Sequence, residues 1–199
     1  MTPEQARRLF ERYGAMLRGH FQLSSGRHSD QYVQKARVLE HPESTMELAA
    51  EIASWYPEID VVVAPAIGAV VLGFAVALSA GARSIFAERE DGEMSLRRGF
   101  TVVPGERALV VEDVITTGTS AKEIFQLLGG VGAEVLGVAA LVDRSATDVG
   151  FPLRSVLRVE AVSWAPERCP LCRRGVPLDS PGSKFLSSPV RKGRSGSSG

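Results

Sequence analysis

Two adjacent carboxylates, Glu112 and Asp113, close the apolar run Ala108-Leu109-Val110-Val111 and are followed by Val114-Ile115-Thr116-Thr117-Gly118-Thr119-Ser120. Each part of this segment has a chemical use. Backbone amides of a Thr/Gly loop, the Thr and Ser hydroxyls and the N-terminus of a following helix together cradle a phosphate dianion, and Gly118 lets the backbone approach it closely. Carboxylates are poor phosphate ligands. Acceptor-only groups suit the hydroxyls of a sugar attached to that phosphate, so the segment reads as a sugar-phosphate site. Helix capping by Asp113 and Thr119 would explain one acid and one hydroxyl. It leaves the paired acid and the remaining hydroxyls unexplained. The segment is neither a Gly-Lys-Ser/Thr phosphate loop nor a Gly-x-Gly-x-x-Gly dinucleotide turn.

The elements that must position these residues follow from periodicity. Thr2 and Pro3 open a helix with Ala6, Leu9, Phe10, Tyr13 and Leu17 at helical spacing, ending between Gly14 and Gly19. Residues 21 to 35 read as two extended pieces around the turn Ser24-Ser25-Gly26-Arg27, and Pro42 starts a second helix closed by Pro57. Apolar strands at 61–64, 84–87, 108–112 and 135–142 then alternate with helices near 69–80 and 119–129, and a last apolar strand covers 156–162. Strands apolar on both faces with helical crossovers predict an α/β fold, a parallel sheet flanked by helices. In such sheets ligands sit beyond the carboxyl ends of the strands, which selects Pro65 to Ala69, Glu88 to Arg98, Asp113 to Ser120 and Asp143 to Asp148. Val61 to Ala82 lacks charge over a membrane-spanning length, but Ala64-Pro65-Ala66-Ile67-Gly68 breaks it into a strand, a loop and a helix.

The segment 108–120 resembles the phosphoribosyl pyrophosphate signature of the type I phosphoribosyltransferases. Within that group the chain is most similar to the orotate phosphoribosyltransferases. Residues 21–32 resemble their base-covering hood, and residues 87–100 their mobile loop. Leu141-Val142-Asp143-Arg144-Ser145 and Cys169-Pro170-Leu171-Cys172 match one bacterial branch, so the likeness covers residues 5 to 184. It implies a Rossmann-like core and transfer of the 5-phosphoribosyl group from 5-phosphoribosyl 1-diphosphate to orotate, giving orotidine 5′-monophosphate in de novo pyrimidine (UMP) synthesis.

The roles implied by the resemblance are as follows. Glu112 and Asp113 bind the ribose hydroxyls, Asp113 counting among the catalytic residues, while Val114, Ile115, Thr116, Thr117, Gly118, Thr119 and Ser120 hold the 5-phosphate. Thr116 also reaches orotate, Arg144 meets its carboxylate, and the backbone of Tyr32 and Val33 lines the base. Ile67 and Gly68 wrap the diphosphate with backbone amides. Arg89, Arg97 and Arg98 neutralise the leaving diphosphate, with Arg97 and Arg98 catalytic, from a loop that reaches the neighbouring subunit of a homodimer. Mg²⁺ is the cofactor and is carried by the substrate, so no residue of the chain is expected to ligate it. Better-known members have lysines where this chain has Ser24 and near Gly68, and lysines and a histidine in the mobile loop, where residues 88–100 have neither.

The implied organisation is a helix and hood over 1–40, an α/β core over 41–163, a C-terminal segment with the cysteine pair over 164–184, and a disordered tail over 185–199, whose Ser195-Gly196-Ser197-Ser198-Gly199 end could be an expression remnant. Composition agrees with a globular enzyme: 199 residues, 44% hydrophobic, with 23 Lys plus Arg against 23 Asp plus Glu. Zero net charge disfavours a nucleic-acid partner and a regulator that senses phosphoribosyl pyrophosphate on DNA or RNA. A purine or uracil acceptor is disfavoured because it lacks a carboxylate for Arg144. The charged N-terminus has no signal-peptide core, which makes the cytoplasm the expected location. Cys169 and Cys172 have the spacing of half a zinc site with no second pair nearby in sequence. His20, His28 and His41 lie far away, so two thiols or a local disulfide is the simpler reading, with zinc completed by another chain as the alternative. His28 reads as a surface histidine.

Overall fold

Thr2 opens helix α1 (Pro3–Arg12) through a reciprocal capping box in which its hydroxyl accepts from the Gln5 amide and the Gln5 side chain accepts from the Thr2 amide. The computed structural model describes residues 1–181 apart from Ser24 and Ala161, so the expected tail over 185–199 lies outside the described residues. Helix α1 stops earlier than the apolar spacing through Leu17 predicts. Gly14 takes φ of 60°, the chain turns, and Leu17 falls in strand β1 (Met16–Gln22). Strand β2 (His28–Val33) and two helices, α2 (Ala36–Leu39) and α3 (Pro42–Ser54), follow.

The described residues form two compact units. One comprises Met1–Met16 and Val33–Glu160, the other Leu17–Tyr32 and the chain after Glu160. Helix α1 therefore belongs with the α/β core, which differs from a division at residue 40. The hood hairpin is grouped with the C-terminal segment.

In the first unit, β3 (Val61–Pro65), α4 (Val70–Ala80), β4 (Arg83–Glu90), β5 (Glu93–Leu96), β6 (Arg107–Ile115), α5 (Thr119–Gly130), β7 (Glu134–Asp143) and β8 (Leu153–Arg158) build a six-stranded sheet ordered β5-β4-β3-β6-β7-β8. Every pairing is parallel except β4 with β5. Both faces are covered, as the doubly apolar strands require. Val61, Val63, Val110, Val138 and Ala140 pack with Ile124 and Leu128 of α5. On the opposite face Gly73 of α4 lies so close over β3 that an added Cβ would come 2.9 Å from that of Ala64. No described helix is long and apolar enough to cross a membrane.

Two differences from the periodicity matter. The stretch read as an open loop over 88–98 is a β-hairpin, because Asp91 and Gly92 both take positive φ, 49° and 95°, as a tight Asp-Gly hairpin turn demands. The last core strand is Leu153–Arg158 rather than 156–162. It pairs with β7 in register, and the chain then leaves the sheet after the Val159 amide binds the Asp143 carbonyl at 2.9 Å.

The second unit is a three-stranded sheet ordered β1-β2-β9, where β9 (Ser163–Trp164) runs antiparallel to β2. A 3₁₀ turn (Pro166–Arg168) and the short helix α6 (Pro170–Arg173) complete it. Arg27 ties the hairpin turn to Ser163 through its hydroxyl at 2.9 Å and its carbonyl at 2.6 Å.

Candidate functional site

Strand β6 carries Glu112 and Asp113 in its interior and continues to Ile115, beyond the expected end at Glu112, because Val114 and Ile115 still pair with Val142 and Asp143 of β7. Both carboxylates are buried. Glu112 accepts the Asp113 amide at 3.0 Å, and Asp113 accepts the Val114 amide at 2.6 Å. The other Asp113 oxygen forms an ion pair with the ammonium of Lys35, which precedes α2. Sequence reasoning missed Lys35. The available signal was scarcity, since the chain has 4 lysines and this is the first of them.

The loop Pro65 to Ala69 reaches the same place. An added Cβ at Gly68 would overlap the Asp113 carboxylate and lie 3.0 Å from the Lys35 ammonium. Lys35 thus places a cation from another element beside this loop. Ile67 stands out into solvent, 87% exposed, and offers backbone rather than a side chain to the loop.

Burial sets the electrostatics of this cluster. It pushes the Glu112 carboxyl from 4.5 up to about 7, with Lys35 opposing, and it lowers Lys35, with Glu112 opposing. Between the ordinary carboxylate range and pH about 7 the folded chain therefore keeps a proton on Glu112 that the unfolded chain has released. Stability falls as pH rises through that window and levels off above it. Glu112→Gln removes this slope, which at full development is on the order of 3 kcal/mol. Urea unfolding at pH 5 and pH 8 measures it, and equal slopes in both proteins would contradict the assignment.

Helix α5 begins at Thr119, with Gly118 as its N-cap at φ of 72° and no side-chain cap. Neither Asp113 nor Thr119 caps it, so the first amides of the helix remain available for an anion. The Thr117 and Thr119 hydroxyls lie 3.0 Å apart. Thr116, Thr117 and Thr119 are exposed and Ser120 is half-buried, which opens this hydroxyl row to solvent. The backbone at Gly118 is pressed against the Phe151 ring, which an added Cβ would meet at 3.0 Å.

Arg144 directly follows β7, and its amide binds the Ile115 carbonyl at 2.8 Å, which fixes it beside the start of the Thr/Gly loop. The preceding Asp143 accepts from Arg158 at 3.1 Å and from the Ser145 amide at 2.8 Å. The hairpin arginines are each held by a local carboxylate. Arg89 pairs with Glu123 at 2.8 Å, Arg97 with Glu90 at 3.2 Å, and Arg98 binds both oxygens of Glu88 at 2.7 and 2.9 Å. Such exposed pairs exchange at little cost. Val33 is buried, and the half-buried Tyr32 ring lies against Phe21 at 5.7 Å within the second unit.

The chain matches the phosphoribosyl transferase domain model over residues 35–150. It is 48% identical to an orotate phosphoribosyltransferase of Chlorobium phaeobacteroides over 91% of this chain and 96% of that protein. It is 50% identical to an orotate phosphoribosyltransferase of Thermotoga petrophila over 89% of this chain and 97% of that protein. Among solved structures, the orotate phosphoribosyltransferase of Aeropyrum pernix superposes with a TM-score of 0.60 at 30% identity, covering 78% of this chain and 93% of that one. That of Mycobacterium tuberculosis in complex with inorganic phosphate gives 0.59 at 31% identity, covering 79% and 96%. With its buried acid pair and uncapped helix at the end of a parallel strand, the chain belongs to the phosphoribosyl transferase family and, within it, to the orotate phosphoribosyltransferases.

Proposed function

We propose that the chain transfers the 5-phosphoribosyl group from 5-phosphoribosyl 1-diphosphate to orotate, releasing diphosphate and forming orotidine 5′-monophosphate for pyrimidine synthesis. The observation that carries this reading is the continuity of the site. One strand end presents two buried carboxylates, the next residues form an anion-binding helix entry, and Gly68 brings a second loop against the same carboxylate. Glu112 and Asp113 accept the ribose hydroxyls, and residues 114–120 hold the 5-phosphate. Lys35 adds positive charge beside the diphosphate loop.

Attack by N1 of orotate on the anomeric carbon displaces diphosphate, and bond breaking runs ahead of bond making. The developing charges are met by fixed dipoles and cations, so positioning and leaving-group stabilisation supply the rate. Mg²⁺ is the proposed cofactor. Asp113 faces Lys35, and a strongly hydrated ion carried on the diphosphate would need few protein ligands. When bound, it neutralises the leaving group.

A homodimer fits the surface of α4. Val71, Phe74 and Leu78 recur at helical spacing and are 56%, 61% and 62% exposed, an apolar stripe suited to a second copy. Release of Arg89, Arg97 and Arg98 from Glu123, Glu90 and Glu88 would free the hairpin to close over diphosphate, in its own or the neighbouring site. A cytoplasmic location is proposed, because both proposed substrates are charged and water-soluble.

Arg144 is the proposed carboxylate reader, and its planar fork is what Lys lacks. Arg144→Lys is expected to raise the KM for orotate by about 10–100-fold, the loss of a charged bidentate contact, and to leave phosphoribosyl pyrophosphate affinity unchanged. Steady-state kinetics with each substrate varied checks this. An unchanged orotate KM would remove Arg144 from the base site.

A further inference from the structure

We propose that His20, His28, Cys169 and Cys172 form a structural zinc site within the second unit. Their donor atoms all lie within 4.8 Å of one another, the only group of three or more such ligands among the described residues. His20 Nε2 is 3.0 Å from His28 Nδ1, 3.4 Å from Cys169 Sγ and 3.7 Å from Cys172 Sγ, and His28 Nδ1 is 3.2 Å from Cys172 Sγ. A zinc tetrahedron with ordinary Zn–N and Zn–S bonds has edges of about 3.3 Å between nitrogens and about 3.5 Å between nitrogen and sulfur. These four spacings match those edges to within a few tenths of an ångström, and the remaining donor pairs lie within 4.8 Å.

The surroundings prepare the ligands. His20 Nδ1 lies 2.8 Å from the Val176 carbonyl, so it carries the proton and donates it there. That leaves the Nε2 lone pair aimed at the cluster, as in metal-binding histidines held by a carbonyl behind them. His20 and His28 are 3% and 5% exposed, which overturns the reading of His28 as a surface group. Cys169 is buried and Cys172 exposed, which gives an ion a way in, and both sulfurs are free thiols. Two thiolates and two imidazoles in a tetrahedron suit zinc rather than the hard Mg²⁺ of the transfer reaction. Four protein donors leave no open position, so the role is structural.

The site also explains how this small unit holds together. Its hairpin and its C-terminal turn are separated by 149 residues between His20 and Cys169. Among its described residues Phe21 and Leu171 are the buried large apolar side chains. A metal clip across that separation takes over work that a small core cannot do. Sequence spacing hides it because one half is His20 and His28 across a β-hairpin and the other is Cys169 and Cys172 around α6.

The test is metal analysis of the full chain, purified under reducing conditions without chelator from zinc-supplemented cells. About one tightly held zinc per chain is expected, released by a mercurial that titrates the thiols. Cys172→Ser, at the exposed ligand, is expected to lower zinc content at least tenfold and to lower thermal stability, while the helical circular dichroism of the first unit is kept. Cobalt(II) reconstitution of the wild type is expected to show tetrahedral d–d bands and thiolate charge transfer that this variant changes. Protein that holds less than about a tenth of a zinc per chain, gains no thermal stability on zinc addition and binds no cobalt with a thiolate signature would overturn the proposal. So would a Cys169–Cys172 disulfide in zinc-free protein that refuses zinc after reduction.

Discussion

Asp113→Asn is expected to lower kcat/KM for phosphoribosyl pyrophosphate by about 10²–10³-fold, the usual effect of removing one preorganised electrostatic contact at a reacting centre. The reason is geometric. Asp113 is 5% exposed, holds the Val114 amide with one oxygen and the Lys35 ammonium with the other, and is overlaid by Gly68. Asparagine keeps the shape and an acceptor for the amide but removes the charge that orients Lys35 and that is proposed to accept a sugar hydroxyl. Stability falls less than activity, because Lys35 is 31% exposed and water replaces part of its lost partner. Circular dichroism and a melting curve should show a folded protein, whereas isothermal titration with phosphoribosyl pyrophosphate should show weakened binding. A variant with full kcat/KM would mean that Asp113 is merely a buried structural acid.

The second large effect is expected at Gly68. In Gly68→Ala the new methyl overlaps the Asp113 carboxylate and comes within 3.0 Å of the Lys35 ammonium, so the loop or the ion pair must move. Misplacement on this scale costs about 10²-fold in rate. The fold has room to absorb the shift, since Ile67 beside it is 87% exposed, and the thermal midpoint should change little. Gly129→Ala in α5 is the matched control: nothing lies within 4 Å of its added Cβ. It should leave activity alone and stabilise by about 0.5–1 kcal/mol through helix propensity. Equal activity of the two variants would break the link between the Pro65–Ala69 loop and the acid pair.

The fold was legible where apolar period and breakers coincide. Val61-Val62-Val63 before Pro65, and Ala108 to Val111 before the Thr/Gly loop, announce buried parallel strands with a loop at their carboxyl ends, and the structure has both. What local pattern misses is pairing at a distance. Lys35 meets Asp113 across 78 positions, and nothing in either neighbourhood predicts that pair. The same holds for His20 and Cys169, whose ligand-like character appears only when a hairpin and a distant turn are brought together. The β4–β5 hairpin is a different case. Asp91-Gly92 is a strong turn signal, but Glu88 to Arg98 is so charged that it reads as a loop, and the short second strand is held by its backbone ladder with β4 and by Met94 and Leu96 against the core.

The most direct test of the account is turnover by the purified chain with Mg²⁺ and phosphoribosyl pyrophosphate, following loss of orotate absorbance and release of diphosphate, with uracil, hypoxanthine and adenine run in parallel. Orotate alone is expected to be consumed, with diphosphate appearing in equal amount. Consumption of a purine instead would contradict the place given to Arg144. Tight binding of phosphoribosyl pyrophosphate with no base consumed would contradict transfer altogether and leave a phosphate cradle that senses its ligand without using it.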